Sequence, residues 1–79
     1  MIKDFYGKEL KVGDDVTVEE CWEDGNGNYH DENLTISRIL PDGSLKFRIG
    51  HYKTRKARDE KVQAWINQFE WYGENCIKN

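Results

Sequence analysis

Two short segments of alternating apolar residues flank the one proline of this chain, and they constrain the fold more than any other feature. Residues 34–40 and 45–49 alternate apolar with polar side chains, and turn-forming residues 41–44 separate them. This pattern predicts an antiparallel β-hairpin. With Asp42 and Gly43 as a two-residue turn, the predicted register places Leu40 opposite Leu45, Arg38 opposite Phe47 and Ile36 opposite Ile49. Because this register leaves Arg38 on the apolar face, either the strand bends or bulges there or Arg38 sits at a rim, and we favour the bend.

A further strand and a polar loop are predicted before this hairpin. Residues 15–22 are predicted to form a strand, in which Val16 and Val18 point to the same face. Cys21 and Trp22 do not fit this alternation. Residues 23–32 are rich in Gly, Asn and Asp, which predicts a loop.

Residues 62–72 fit two kinds of structure. Their apolar positions match an amphipathic helix that ends at Gly73. They also match a strand followed by a short turn at 67–70 and a last strand from Trp71 to Ile77. Periodicity does not choose between the two.

The length and composition indicate one small soluble domain. The chain has 79 residues, and its aromatic residues run from Phe5 to Tyr72, so one core can draw on the whole length. The sequence shows neither a secretory signal nor a membrane span, which predicts a cytoplasmic protein. Cys21 and Cys76 are accordingly expected to be free thiols acting as small buried apolar groups.

The N-terminal part of the chain also resembles a known fold. Residues 7–16, GKELKVGDDV, look like the G-x-x-L-x-x-G-D-x-V segment that leads into the first strand of small SH3-like or KOW-like barrels. Residues 62–70, VQAWINQFE, resemble the fourth strand and short 3₁₀ turn of that fold, and the chain from Trp71 onward resembles its closing strand. The family includes many short phage and prophage proteins. The loop at 23–32 and the basic residues at 51–61 depart from its pattern.

The resemblance implies a mostly β protein, a single small SH3-like antiparallel barrel over residues 1–79. The alternative is a β-meander with a C-terminal amphipathic helix, an α+β arrangement. The implied function is that of a small accessory binding protein of phage or prophage type.

Charge is partitioned along the chain. Residues 1–37 carry a net charge of −7, residues 38–61 carry +5 and residues 62–79 carry −1. Such a distribution steers charged partners and says little about fold.

The basic segment, residues 46–61, is the leading candidate site. Clusters of Lys and Arg bind phosphate backbones, and a Tyr among them offers a stacking face for a base. We therefore predict contact with nucleic acid or with a nucleic-acid-handling protein. The predicted contact residues are Lys46, Arg48, Tyr52, Lys53, Arg55, Lys56 and Arg58. A pI of 5.3 would confine that contact to one edge of the molecule.

The acidic first half provides the alternative site. Its carboxylates and an exposed aromatic residue could engage a basic surface on a host protein, as an interaction module or as an inhibitor of anti-host or anti-defence type. The residues of this alternative are Glu19, Glu20, Trp22, Glu23, Asp24, Asp31 and Glu32. Trp65, Trp71 and Tyr72 are further candidates for an exposed aromatic patch.

No pattern in the sequence indicates catalysis, a cofactor or a metal. Asp24, Asn26 and Asn28 alternate as the first ligands of a calcium loop do, but Tyr29 and Thr35 stand where Gly and Glu are required. The two Cys and two His residues lack the close pairing of zinc ligands. The chain is therefore predicted not to be an enzyme.

Overall fold

The computed structural model describes residues 1–49 and 57–79, and within them four strands, one α-helix and one 3₁₀ helix. The predicted contact residues Tyr52, Lys53, Arg55 and Lys56 lie outside the described residues. The elements are β1 (Asp15–Glu23), β2 (Tyr29–Ile39), β3 (Leu45–Arg48), α1 (Ala57–Asn67), the 3₁₀ helix (Gly73–Asn75) and β4 (Ile77–Lys78).

The strands form one antiparallel sheet in the order β3-β2-β1-β4, which confirms a mostly β fold. Across the described residues this sheet does not close into a barrel. The C-terminal segment nevertheless touches both of its edges. Trp71 forms a single bridge with Leu45 of β3, and β4 pairs with β1 through Val16–Lys78 and Thr17–Ile77.

The ambiguity at 62–72 is resolved in favour of a helix that ends at Asn67 rather than at Gly73. Val62 and Ile66, one turn apart, are buried in the core and fix the inner side of α1. The strand alternative for residues 62–66 is therefore wrong.

The β2–β3 hairpin is present, but the predicted register is wrong by one residue at the turn. The loop has three residues, because the Leu40 amide donates to the Ser44 carbonyl at 2.9 Å and the Gly43 amide donates to the Leu40 carbonyl at 2.9 Å. Gly43 has φ +89°, the left-handed conformation that completes three-residue hairpin loops. The observed pairs are Ile39–Leu45, Arg38–Lys46, Ile36–Phe47 and Thr35–Arg48. The register shifts between Ile36 and Arg38, which confirms the expected bulge and leaves Arg38 exposed.

The β1–β2 hairpin is longer than predicted. Residues 29–32 belong to β2, so the connecting loop is only 24–28 and the prediction of a loop over 23–32 is wrong. Pairing of Trp22 with His30 and of Glu23 with Tyr29 extends the sheet into the polar segment.

A bulge at residues 19–21, here called the β1 bulge, accounts for the phase change in the first strand. The register shifts between Val18 and Trp22, and Glu20 has φ +50°. Three residues of β1 stand opposite the single residue Asp31, and within this bulge Cys21 turns inward, so that Cys21 and Val18 are both buried.

The core lies between the sheet and α1. Its buried apolar residues are Leu10, Val16, Val18, Cys21, Leu34, Ile36, Leu45, Phe47, Ile49, Val62, Ile66 and Cys76. Cys21 and Cys76 are free thiols, and burial is the main cause that raises the pKa of each to about 12. None of the helices formed by the described residues has the length and apolar character needed to cross a bilayer.

Candidate functional site

Only part of the basic segment lies within the residues that the structure describes. Lys46 and Arg48 lie on β3, where Lys46 is half-buried and Arg48 is exposed. Arg58 lies at the second position of α1. Two of the seven predicted contact residues therefore lie on the same strand. That all seven lie on one surface stays a prediction.

The acidic residues of the alternative site all lie on the β1–β2 hairpin, but several of them stabilise the hairpin itself. Glu32 is buried, and the Trp22 indole Nε1–H donates to its Oε2 at 3.2 Å. The Asp31 Oδ1 accepts the Glu20 amide at 2.9 Å. Glu23 is half-buried next to the loop. The structural roles of Asp31 and Glu32 were not predicted from the sequence.

Asp24 holds the hairpin loop in shape. Its Oδ1 accepts the Asn26 amide at 2.8 Å and its Oδ2 lies 2.9 Å from the His30 Nε2. The hydrogen bond with His30, followed by that from Asn26, lowers the pKa of Asp24 to about 2. The His30 ring stacks on Trp22 with centroids 4.6 Å apart, so this end of the hairpin is a packed polar and aromatic cluster. Within the described part of the chain, no group of three or more potential metal ligands comes together.

The β1 bulge places consecutive carboxylates in two different grooves. Glu20 lines a groove of about 280 Å³, here called the aromatic groove. Its lining residues are Glu20, Cys21, Tyr29, Trp65, Phe69 and Trp71. Glu19 lines a second groove of about 210 Å³, here called the terminal groove. Its lining residues are Phe5, Tyr6, Glu19, Glu74, Asn75 and Ile77.

The rings of the aromatic groove are fixed by hydrogen bonds at their polar ends. The Trp65 Nε1–H donates to the Cys21 carbonyl at 3.1 Å, and the Trp71 Nε1–H donates to the Ile66 carbonyl at 2.9 Å. Phe69 lies between the two indoles, with ring centroids 5.5 Å from Trp65 and 6.0 Å from Trp71. The indole N–H groups are thus satisfied internally, and only apolar ring surface is offered to a partner.

The outer rim of the aromatic groove consists of Tyr29 and Phe69, which are 61% and 43% exposed. Of the three residues predicted as an aromatic patch, Trp65 and Trp71 line the groove and are half-buried, whereas Tyr72 is exposed and does not line it. Sequence reasoning missed Tyr29 and Phe69. One signal was present: Tyr29 is a large aromatic residue inside an otherwise polar segment.

The chemistry of the aromatic groove is that of binding. Cys21 lines it, but its pKa of about 12 keeps the thiol protonated near neutral pH and therefore weakly nucleophilic. Glu20 contributes a carboxylate and the rings contribute apolar and π surface. The chain matches no protein-family model, no curated protein and no solved structure, so the assignment depends on these contacts.

Proposed function

We propose that this chain is a protein-binding module that holds a basic protein surface in the aromatic groove. One observation carries the proposal: Glu20, which adopts φ +50°, lines a groove together with fixed aromatic rings. Non-glycine residues in this conformation cost of order 1–3 kcal/mol and are concentrated at functional sites. The Asp31 carboxylate stabilises the strained backbone by accepting the Glu20 amide.

Charge supports a basic partner. The first 37 residues carry a net charge of −7, and the β1–β2 hairpin that borders the groove belongs to them. Complementary charge speeds encounter and disfavours acidic partners, while buried aromatic rings supply most of the affinity in interfaces of this kind.

The order of elements also favours an SH3-like arrangement, which we include in the proposal. Three meandering strands are followed by a segment that bridges β3 at Trp71, forms the 3₁₀ helix and pairs with β1 as β4. The turn at Gly13, with φ +94°, leads directly into β1 as the G-D turn of the resemblance implies. In this view α1 is an insertion between the third strand and the Trp71 bridge.

The groove is tested by comparing proteins captured on three immobilised versions of the chain. These are the wild type, the double variant Tyr29→Ala with Phe69→Ala, and the control Val12→Ala, which removes an exposed apolar side chain outside both grooves. We expect a basic partner to be retained by the wild type and the control. The double variant should lose at least tenfold in affinity, because truncating two aromatic contact residues at about 1 kcal/mol each removes about 2 kcal/mol of binding free energy.

Two readouts make this test decisive. Hydrogen exchange in the complex should slow at residues 20–22 and 65–71, and added salt should weaken binding because the partner is basic. Equal retention by the wild type and the double variant would overturn the proposal. So would a partner whose binding is unaffected by salt.

Contact with nucleic acid through the basic segment is the second candidate function. The observation that favours it is the exposed Arg48 beside Lys46 on β3, directly preceding the cationic run in sequence. Reversal of Lys53, Arg55, Lys56 and Arg58 to Glu should abolish retention of labelled DNA or RNA. The same variant should still bind a basic protein at the aromatic groove, because added negative charge does not oppose a basic partner, and this separates the two candidates.

A further inference from the structure

Two large aromatic residues occupy the tip of a surface turn near the N-terminus. The sequence suggested Phe5 as a core residue, but Phe5 and Tyr6 are 66% and 69% exposed. They are the two central residues of a turn closed by the Gly7 amide, which donates to the Asp4 carbonyl at 3.1 Å. Turns favour Gly, Pro, Asn, Asp and Ser at such positions, so folding gives no reason for two aromatic rings here.

The turn is held rigidly by a buried carboxylate. The Asp4 Oδ1 accepts the amides of Tyr6 at 2.9 Å and Lys8 at 2.7 Å, and its Oδ2 accepts the Lys78 amide of β4 at 2.8 Å. The Phe5 amide donates to the Cys76 carbonyl at 2.9 Å. These bonds tie the backbone of the two aromatic residues to the sheet, which lowers the entropy lost when a ligand binds them.

The rest of the terminal groove is acidic. Glu19 and Glu74 line it together with Asn75 and Ile77, and no Lys or Arg is among its described lining residues. Neither carboxylate forms an ion pair or a hydrogen bond with another side chain of the described residues. The rings of Phe5 and Tyr6 meet edge to face at 87° with centroids 5.1 Å apart, which leaves a ring face available. Ring faces and carboxylates both attract a cation.

We propose that the terminal groove is a second docking site, distinct from the aromatic groove, for a lysine or arginine side chain of a protein partner. The cation contacts the faces of Phe5 and Tyr6, and Glu19 and Glu74 balance its charge. Consecutive glutamates of the β1 bulge therefore serve two sites.

The test follows amide chemical shifts of the ¹⁵N-labelled chain during titration with three short capped peptides. Each has glycine on both sides of one central residue, which is arginine, lysine or the neutral analogue citrulline. We expect saturable shifts at Phe5, Tyr6, Glu19 and Glu74 with the cationic peptides and none with the citrulline peptide. Response to arginine alone would assign the guanidinium as the recognised group, and response to both cations would assign charge in general.

Variants separate this site from the aromatic groove. Because exposed cation–π contacts contribute about 0.5–1 kcal/mol, Phe5→Ala and Tyr6→Ala should each weaken binding about two- to fivefold. Glu19→Gln and Glu74→Gln should weaken it as well, whereas Tyr29→Ala with Phe69→Ala should leave it unchanged. The replaced rings are exposed, so unchanged amide shifts in the core would show an intact fold. Equal response to the citrulline peptide, or binding unaffected by Phe5→Ala and Tyr6→Ala, would overturn the proposal.

Discussion

At residue 73 the C-terminal 3₁₀ helix passes directly against the N-terminal segment. In one of the two sequence-based alternatives Gly73 ended the helix. The residue is in fact buried, and an added Cβ would overlap the carbonyl oxygen of Lys3. We expect Gly73→Ala to lower the free energy of unfolding by about 1–3 kcal/mol, as overpacking does. Urea denaturation measures this, with exposed Gln68→Ala as a control that should change it by less than about 0.5 kcal/mol. Equal values for the two variants would contradict the close approach.

Asp4 links the N-terminal turn to β4, and its ionisation should contribute to stability. The backbone hydrogen bond from Lys78 is the main cause that lowers the pKa of Asp4 below its ordinary value of 3.8. A group with a lowered folded pKa stabilises the protein above its unfolded pKa and ceases to do so as pH falls through the folded value. Asp4→Asn should therefore be less stable than the wild type near neutral pH, and the difference should shrink below pH 3.8. A difference that is constant from pH 7 to pH 2 would show that ionisation of Asp4 plays no part.

Among the elements, the β1 bulge is where backbone strain and the proposed binding site coincide. Replacing Glu20 with Gly relieves its positive φ, and this gain is offset by the greater freedom of Gly in the unfolded chain. Glu20→Gly should therefore leave the free energy of unfolding unchanged or raise it by up to about 2 kcal/mol, while weakening binding of a basic partner at the aromatic groove. Glu20→Gln is the matched control, because it keeps the strain and removes the charge. Wild-type affinity in both variants would exclude Glu20 from the site.

The sequence predicts those features of an element that neighbouring residues determine, and it does not predict those that tertiary packing determines. Alternation around residues 41–44 predicts the β2–β3 hairpin, but the loop length depends on the Asp42 carboxylate, which accepts the Ser44 amide and hydroxyl at 2.9 Å and 2.6 Å. The helical state of residues 62–67 was not predictable, because Val62 and Ile66 suit either period and only packing against the sheet selects one.

The same distinction between local pattern and tertiary packing applies to the candidate site. Glu20 was predicted from the charge pattern of one segment. The aromatic groove was not, because Tyr29 and Phe69 are 40 residues apart and meet only after the β1–β2 hairpin and α1 have folded together.

At the scale of the whole molecule, opposite charges are kept on different parts of one sheet. The acidic carboxylates lie on the β1–β2 hairpin, while Lys46 and Arg48 lie on the outer strand β3. A polyanion that approaches β3 therefore meets repulsion from the centre of the same sheet, which limits how far it extends across the molecule.

This arrangement sets an upper limit on the salt dependence of any nucleic-acid binding. Residues 46–61 contain seven Lys and Arg residues, so at most seven phosphates can be neutralised there. Since the logarithm of affinity for duplex DNA falls with the logarithm of salt concentration by about 0.9 per phosphate, the slope should be shallower than about −6. Fluorescence anisotropy of labelled DNA and RNA at several salt concentrations between about 50 and 200 mM measures it. Binding through the basic segment should weaken steeply over this range. A steeper slope would require cations outside residues 46–61. Absence of binding at the lowest salt concentration would leave basic protein partners as the sole proposed ligand class.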